Sequence, residues 1–135
     1  MKLTIHTDGG ARGNPGPAAI GIIIEDESNE KTKIGKTIGD ATNNVAEYLA
    51  VLTAIKEIKQ KYGTCEVEAT FYLDSELVTR QLNKIYKIKN EDLKKIYDQI
   101  TNELSKDLKA QFIHVRREQN KEADEMVNAA LDGKI

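Results

Sequence analysis

Two aspartates stand at the carboxyl ends of segments that read as β-strands: Asp8 in KLTIHTD and Asp74 in VEATFYLD. Each is followed by a small residue, Gly9 or Ser75, and then by a change of chain direction. A charge at the end of a strand that should be buried needs a reason. Asp is favoured where turns start and at helix N-caps, so for either residue alone a structural role is an equal reading. Two such ends on neighbouring strands are harder to explain that way. Neighbouring strands lie about 4.8 Å apart. Carboxylates about 4 Å apart repel by roughly 4 kcal/mol at an effective dielectric of about 20. A fold keeps such a pair if the two share a proton or hold a cation.

Two further acids are candidates for the same place. Glu47 lies in TNNVAEYLA, at the start of a helical pattern. Asn44 and Glu47 have capping-box spacing, with Glu47 reaching back to the Asn44 amide, and on spacing alone that plainer reading is favoured. Asp124 lies in QNKEADEMVN, bordering an apolar stripe of Ala123, Val127, Ala130 and Leu131. In isolation it reads as an acid favoured by the helix dipole in a first turn.

The elements that must position these acids follow from hydrophobic periodicity. Leu3, Ile5 and Thr7 alternate with Lys2, Thr4, His6 and Asp8, which predicts a strand over 2–8. A Gly/Pro-rich loop (9–18), a strand (19–27), a turn (28–29) and a strand (30–39) complete an antiparallel meander. Val45, Tyr48, Leu49, Leu52, Ile55 and Ile58 then recur at helical spacing, closed by Gly63. A strand (67–74), a helix (75–84) and a connector (83–90) follow. Leu93, Ile96, Tyr97, Ile100, Leu104 and Leu108 mark the next helix; a strand (110–116) and a helix (120–131) end the chain. The order predicts an α/β fold. Its five-stranded mixed sheet joins the antiparallel meander of strands 1–3 to strands 4 and 5 parallel to strand 1, flanked by helices. The long helix is the crossover that lets strand 4 lie parallel to strand 1. Asp8 and Asp74 would then sit side by side at the carboxyl edge, where open α/β sheets bind ligands.

Bulk properties bound the function. The 135 residues suit one domain, 1–135, burying about 68% of the surface exposed when unfolded. Hydrophobic content is 39% and charged content 31%, ordinary for a globular chain. A net charge of −2 excludes a polycationic nucleic-acid coat but not a local basic face. The single cysteine, Cys65, forms no internal disulfide and is expected to pack, which fits a reducing compartment. No apolar run approaches the length of a signal peptide or a membrane span, so a cytoplasmic protein with no membrane partner is expected.

Together, TDGGARGNPGPAAIG, TNNVAEYLAV, YLDSELVTRQLN and REQNKEADEMVN closely resemble, in order, the four motifs of the type-one ribonuclease H family. The likeness covers nearly the whole chain. LNKIYKIKNEDLKKIY is similar to the compact branch that lacks a basic-handle insertion. The resemblance implies a ribonuclease H-like fold and endonucleolytic hydrolysis of the RNA strand in an RNA–DNA hybrid, leaving 5′-phosphate and 3′-hydroxyl ends. It places the family's catalytic, metal-binding quartet on Asp8, Glu47, Asp74 and Asp124, which would bind two Mg²⁺ ions, or Mn²⁺. Oxygen ligands suit Mg²⁺, and two such ions can clamp an in-line displacement at phosphorus. A monomer is expected, and double-stranded RNA is a second candidate partner.

The resemblance also implies that Gly9, Gly10, Asn14, Asn43 and Asn44, with Ser75, meet the RNA minor groove. Amide side chains suit the ribose 2′-hydroxyl; the plainer reading of GARGNPGP is a structural loop. Residues 80–95 carry a net +4 around Tyr86. Lys87 and Lys89 are candidates there for DNA-strand phosphates, against the alternative of a solvated helix end. Arg12, Arg116 and Arg117 are further phosphate candidates. Many family members place a catalytic histidine on a loop before the last acid, but Val115 to Asn120 leave almost no room for one. His114 is the nearest histidine and reads instead as a packed or edge residue of the fifth strand. Arg116, Arg117, Glu118 or the carboxyl-terminal tail are candidates for the loop's task. Two rival readings stand: a hybrid-binding module of the same fold that no longer cleaves, and a phosphate-binding relative of the actin and sugar-kinase type, which would need a second such domain.

Overall fold

The computed structural model describes residues 1–63 and 65–135. Strands β1 (Lys2–Ala11), β2 (Gly16–Glu25) and β3 (Lys31–Ala41) form the meander, and α1 (Asn43–Tyr62) crosses over to β4 (Val67–Leu73). Helices α2 (Glu76–Leu82) and α3 (Glu91–Glu103) lead to β5 (Leu108–His114); a single 3-10 turn (Arg117–Gln119) then leads into α4 (Lys121–Leu131). The sheet order is β3-β2-β1-β4-β5, with β1–β2 and β2–β3 antiparallel and β1–β4 and β4–β5 parallel. This is the mixed sheet expected from the order of elements.

Each sheet face has its own cover. Leu3, Ile5, Ile20, Ile22, Phe71 and Leu73 pack under α1, with Val51, Ile55 and Ile58 facing them. On the opposite face α4 lays Val127 and Ala130 on Ala19. Two glycines allow these close approaches. A Cβ on Gly9 would collide with the Ala46 backbone in α1, and one on Gly21 would collide with the Ala123 carbonyl in α4. Both helices therefore lie against sheet backbone at the level of Asp8, which pairs with Gly21.

Several expected boundaries move. β1 runs three residues beyond Asp8, so Gly9, Gly10 and Ala11 are strand rather than loop: their ladder with β2 continues to Ala11–Ala18. The parallel ladder with β4 ends at Thr7–Leu73, so Asp8 lies just past the end of pairing on that side alone. The predicted helix through Leu108 stops at Glu103, and Leu108 opens β5, because it begins the parallel ladder with Val67 of β4. Cys65 is exposed in the turn before β4 rather than packed. Among the described residues no helix is long and apolar enough to cross a membrane.

Substituting Gly9→Ala should force α1 off the sheet and destabilise the fold by about 1–3 kcal/mol, as overpacking does. Urea unfolding measures this; an unchanged midpoint would show that α1 does not rest on β1 at that point.

Candidate active site

The four acids arrive from four elements. β1 supplies Asp8 where its ladder with β4 has ended, and β4 supplies Asp74 one residue past its last paired residue. Ser75, not Asp74, caps α2: its Oγ accepts the Val78 amide at 3.3 Å. That leaves the Asp74 carboxylate free of capping work. The same division holds at α1. The capping-box reading of Asn44 and Glu47 is corrected: Thr42 is the N-cap, its Oγ1 accepting the Val45 amide at 3.2 Å. Glu47 is thereby one turn inside the helix, buried against β1. Asp124 lies in the first turn of α4, half-buried at the side of the cleft.

One carboxylate oxygen from each of Asp8, Glu47 and Asp74 lies within 4.8 Å of the other two. Asp8 is 6% exposed and Glu47 7% exposed. Burial, then the Asp74 charge, pushes the Asp8 carboxyl up from 3.8 to about 7, and the neighbouring Asp124 adds to the rise. Burial, followed by the charges of Asp8 and Asp74, drives Glu47 well above the ordinary carboxylate range, partly offset by the Gly9 amide. Asp74 is raised by burial; a hydrogen bond from Asn120 and the Arg117 charge oppose the shift. The Oε2 of Glu47 is buried with no hydrogen-bond partner among the described residues. Clustered hard oxygen donors, too crowded to ionise together and with one buried oxygen unpaired, fit a divalent cation.

The surrounding cleft is lined by Gly9, Gly10, Arg12, Asn43, Asn44, Ser75 and Arg117 together with the acids and one face of α4. Of the expected substrate contacts, Asn14 lies outside this lining and has an architectural bond instead. Its Oδ1 accepts the Asn43 amide at 3.0 Å, while the Asn43 Oδ1 accepts the Ala11 amide at 2.8 Å. These two bonds fasten the loop after β1 to the start of α1. Arg12 is held by Asp132 at 2.7 Å. Arg117 reaches the cleft; Arg116 opens the 3-10 turn outside it. His114 ends the edge strand β5 beside Leu73, exposed and outside the cleft lining. Tyr86 and Lys87 line a separate groove with Lys84 and Lys94, and Arg80 lies over the Tyr86 ring at 5.4 Å. Lys89 is absent from that groove's lining.

Asn120 is the site residue that sequence reading left without a role. It is 1% exposed, and its Nδ2 donates to the Thr7 carbonyl at 2.9 Å. It also reaches Asp74. One side chain thus ties the start of α4 to β1 and to the end of β4. Its place four residues before Asp124 was the available signal, but polar residues at helix starts usually cap, and here no side-chain cap bond is made.

Comparison with known proteins decides the family. A family profile described as "Reverse transcriptase-like" matches residues 6–130. LC11-RNase H1, isolated from compost by a metagenomic approach, was solved in complex with RNA/DNA hybrid. It superposes with a TM-score of 0.91 at 39% identity, covering 98% of each chain. The chain belongs to the type-one ribonuclease H family. RNase H1 from the halophilic archaeon Halobacterium salinarum is 32% identical with a TM-score of 0.89, covering 98% of this chain and 99% of that one. The bifunctional protein Rv2228c of Mycobacterium tuberculosis is 37% identical over 134 residues, 98% of this chain. The chain spans about a third, 36%, of the length of that relative. Among type-one ribonucleases H, this chain's acidic cluster is a candidate divalent-metal centre.

The raised carboxyls set a pH dependence. An acid whose folded pKa exceeds its unfolded value contributes stability that is present below the unfolded value and lost as pH rises through the folded one. For Asp8 that window runs from 3.8 to about 7, worth roughly 4 kcal/mol at most. Metal-free protein should therefore lose melting temperature from pH 5 to pH 8, and Asp8→Asn should remove much of that slope and melt higher than the parent at pH 8. A scanning-calorimetry series checks this; a slope of opposite sign would mean that the carboxylates are stabilised as anions without a cation.

Proposed function

We propose that this chain is a ribonuclease H that hydrolyses the RNA strand of RNA–DNA hybrids, with residues 1–135 as one catalytic domain. The observation that carries the reading is the convergence of Asp8, Glu47 and Asp74 within 4.8 Å of one another, the first two buried and the third half-buried, in a fold shared with an RNase H1 that was solved on a hybrid. Asp8, Glu47, Asp74 and Asp124 would hold two divalent cations, Mg²⁺ or Mn²⁺. When bound, such ions supply charge neutralisation of the phosphodiester and activation of the attacking water.

The chain's own residues do the positioning. Asp8 and Glu47 offer buried carboxylates; Asp74 and Asp124 offer more accessible ones. Gly9 and Gly10 present backbone in the cleft wall, so a sugar–phosphate strand can approach without meeting a side chain. Asn43 and Asn44 stand at the amino-terminal end of α1 and line the cleft; the Asn44 amide would meet a ribose 2′-hydroxyl, the group that separates RNA from DNA. Arg12 and Arg117, both in the cleft lining, would take phosphates of the RNA strand. The connector bearing Tyr86, Lys87 and Lys89 would take phosphates of the DNA strand. Contacts to backbone and 2′-hydroxyl carry little base information, so cleavage would show weak sequence preference.

Purified protein incubated with a labelled hybrid and Mg²⁺ or Mn²⁺ should release RNA fragments with 5′-phosphate and 3′-hydroxyl ends. Asp8→Asn and Asp74→Asn should each lower the rate by about a thousandfold or more while remaining folded. Hybrid binding without cleavage by the parent would favour the non-cleaving module instead. His114→Ala should keep its rate within about threefold, whereas loss of a general acid or base costs a hundredfold or more; a larger loss would bring His114 back into the chemistry.

A further inference from the structure

Gln81 lies in the last turn of α2, buried at 7% exposure, just before the connector 83–90. Its Oε1 accepts a hydrogen bond from the Tyr48 hydroxyl at 2.6 Å, and its Nε2 donates to the Lys87 carbonyl at 3.3 Å. Tyr48 is fully buried in α1, the next residue after Glu47. A short polar chain thus runs from the helix that carries Glu47 to the segment that carries Tyr86 and Lys87.

Packing alone does not require these polar groups. Phenylalanine would fill most of the Tyr48 volume and methionine most of the Gln81 volume. A buried hydroxyl or amide destabilises unless it is paired, so the pair is kept for where it points. The first half of the connector has its own ties: the Ile85 and Tyr86 amides donate to the Arg80 carbonyl at 2.8 and 3.3 Å, and Arg80 covers the Tyr86 ring. From Lys87 onward the tie to the body of the fold is the Gln81 amide, with Ile88 packed on the core.

We propose that Gln81 is a positioning residue for the substrate. It fixes the Lys87 backbone relative to α1, so that the connector meets the DNA strand while the RNA strand lies on the acids. The inference rests on the reading of the connector as the DNA-strand contact.

The test uses Gln81→Met and Tyr48→Phe, each of which keeps volume and removes the polar link. Either should raise KM for a short hybrid about tenfold and leave kcat within about twofold. The rise in melting temperature on adding Mn²⁺ without hybrid should equal the parent's, because the acids are untouched. The plot of log(kcat/KM) against log salt should become shallower by about one unit, as when one phosphate contact is lost. Lys87→Gln should act in the parent and add little in the Gln81→Met background, the non-additivity expected of residues working as a unit. A Gln81→Met protein with lowered melting temperature but parental KM and salt slope would make Gln81 a satisfied core amide and overturn the proposal, as would a loss confined to kcat. If Lys87→Gln and Lys89→Gln leave KM and slope unchanged in the parent, the connector reading and the inference fall together. If they act and neither Gln81→Met nor Tyr48→Phe does, the inference alone falls.

Discussion

Mutual repulsion among carboxylates held within 4.8 Å of one another is the constraint around which this fold is arranged. Pairs at such separations oppose joint ionisation by roughly 3–4 kcal/mol each, and Asp8 and Glu47 are too buried for water to relieve it. Local structure would not choose this arrangement; the core imposes it. The α1 helix lies on the bare backbone of Gly9, and α4 on that of Gly21. Asn120 then fastens α4 to the carbonyl beside Asp8. A rigid frame therefore presents oxygen ligands whose mutual repulsion a divalent cation would relieve.

The work of capping is kept away from the acids. Thr42 and Ser75 cap α1 and α2, so neither Glu47 nor Asp74 is the N-cap of its helix. Asn14 and Asn43 bond each other's segments and lock the loop after β1 against α1. The cleft wall is thus braced by its own hydrogen bonds. The short link between β5 and α4 makes one 3-10 turn and brings Arg117 to the side of Asp74, the place where a longer loop would otherwise be inserted.

Much of this was legible in the residues. The β-branched runs, the helical spacing after Asn44 and the crossover logic led to the right sheet order, and Asp74 could be read at a strand end because Phe71, Tyr72 and Leu73 precede it. Other features depend on partners that no local pattern reveals. Gly9 and Gly10 look like loop, yet they are strand because β2 supplies the ladder. Glu47 looked like the far half of a capping box with Asn44; the cap lies two residues earlier, and only the close packing of α1 on β1 shows that Glu47 faces Asp8. Asn120 carries no role in the sequence pattern, and its burial between β1, β4 and α4 exists only in the assembled fold. Likewise, the Tyr48–Gln81 bond joins residues 33 apart that both read as ordinary members of helices.

The central claim is that protonated, crowded carboxyls give way to one shared cation site. Calorimetric titration of the metal-free protein with Mn²⁺, repeated in buffers of different ionisation enthalpy, tests it most directly. With Asp8 near 7, binding at pH 6 should release about one proton or more per protein, and the release should fade as pH rises past 8. Mn²⁺ binding at pH 6 with no proton release, or no binding at either pH, would contradict the account.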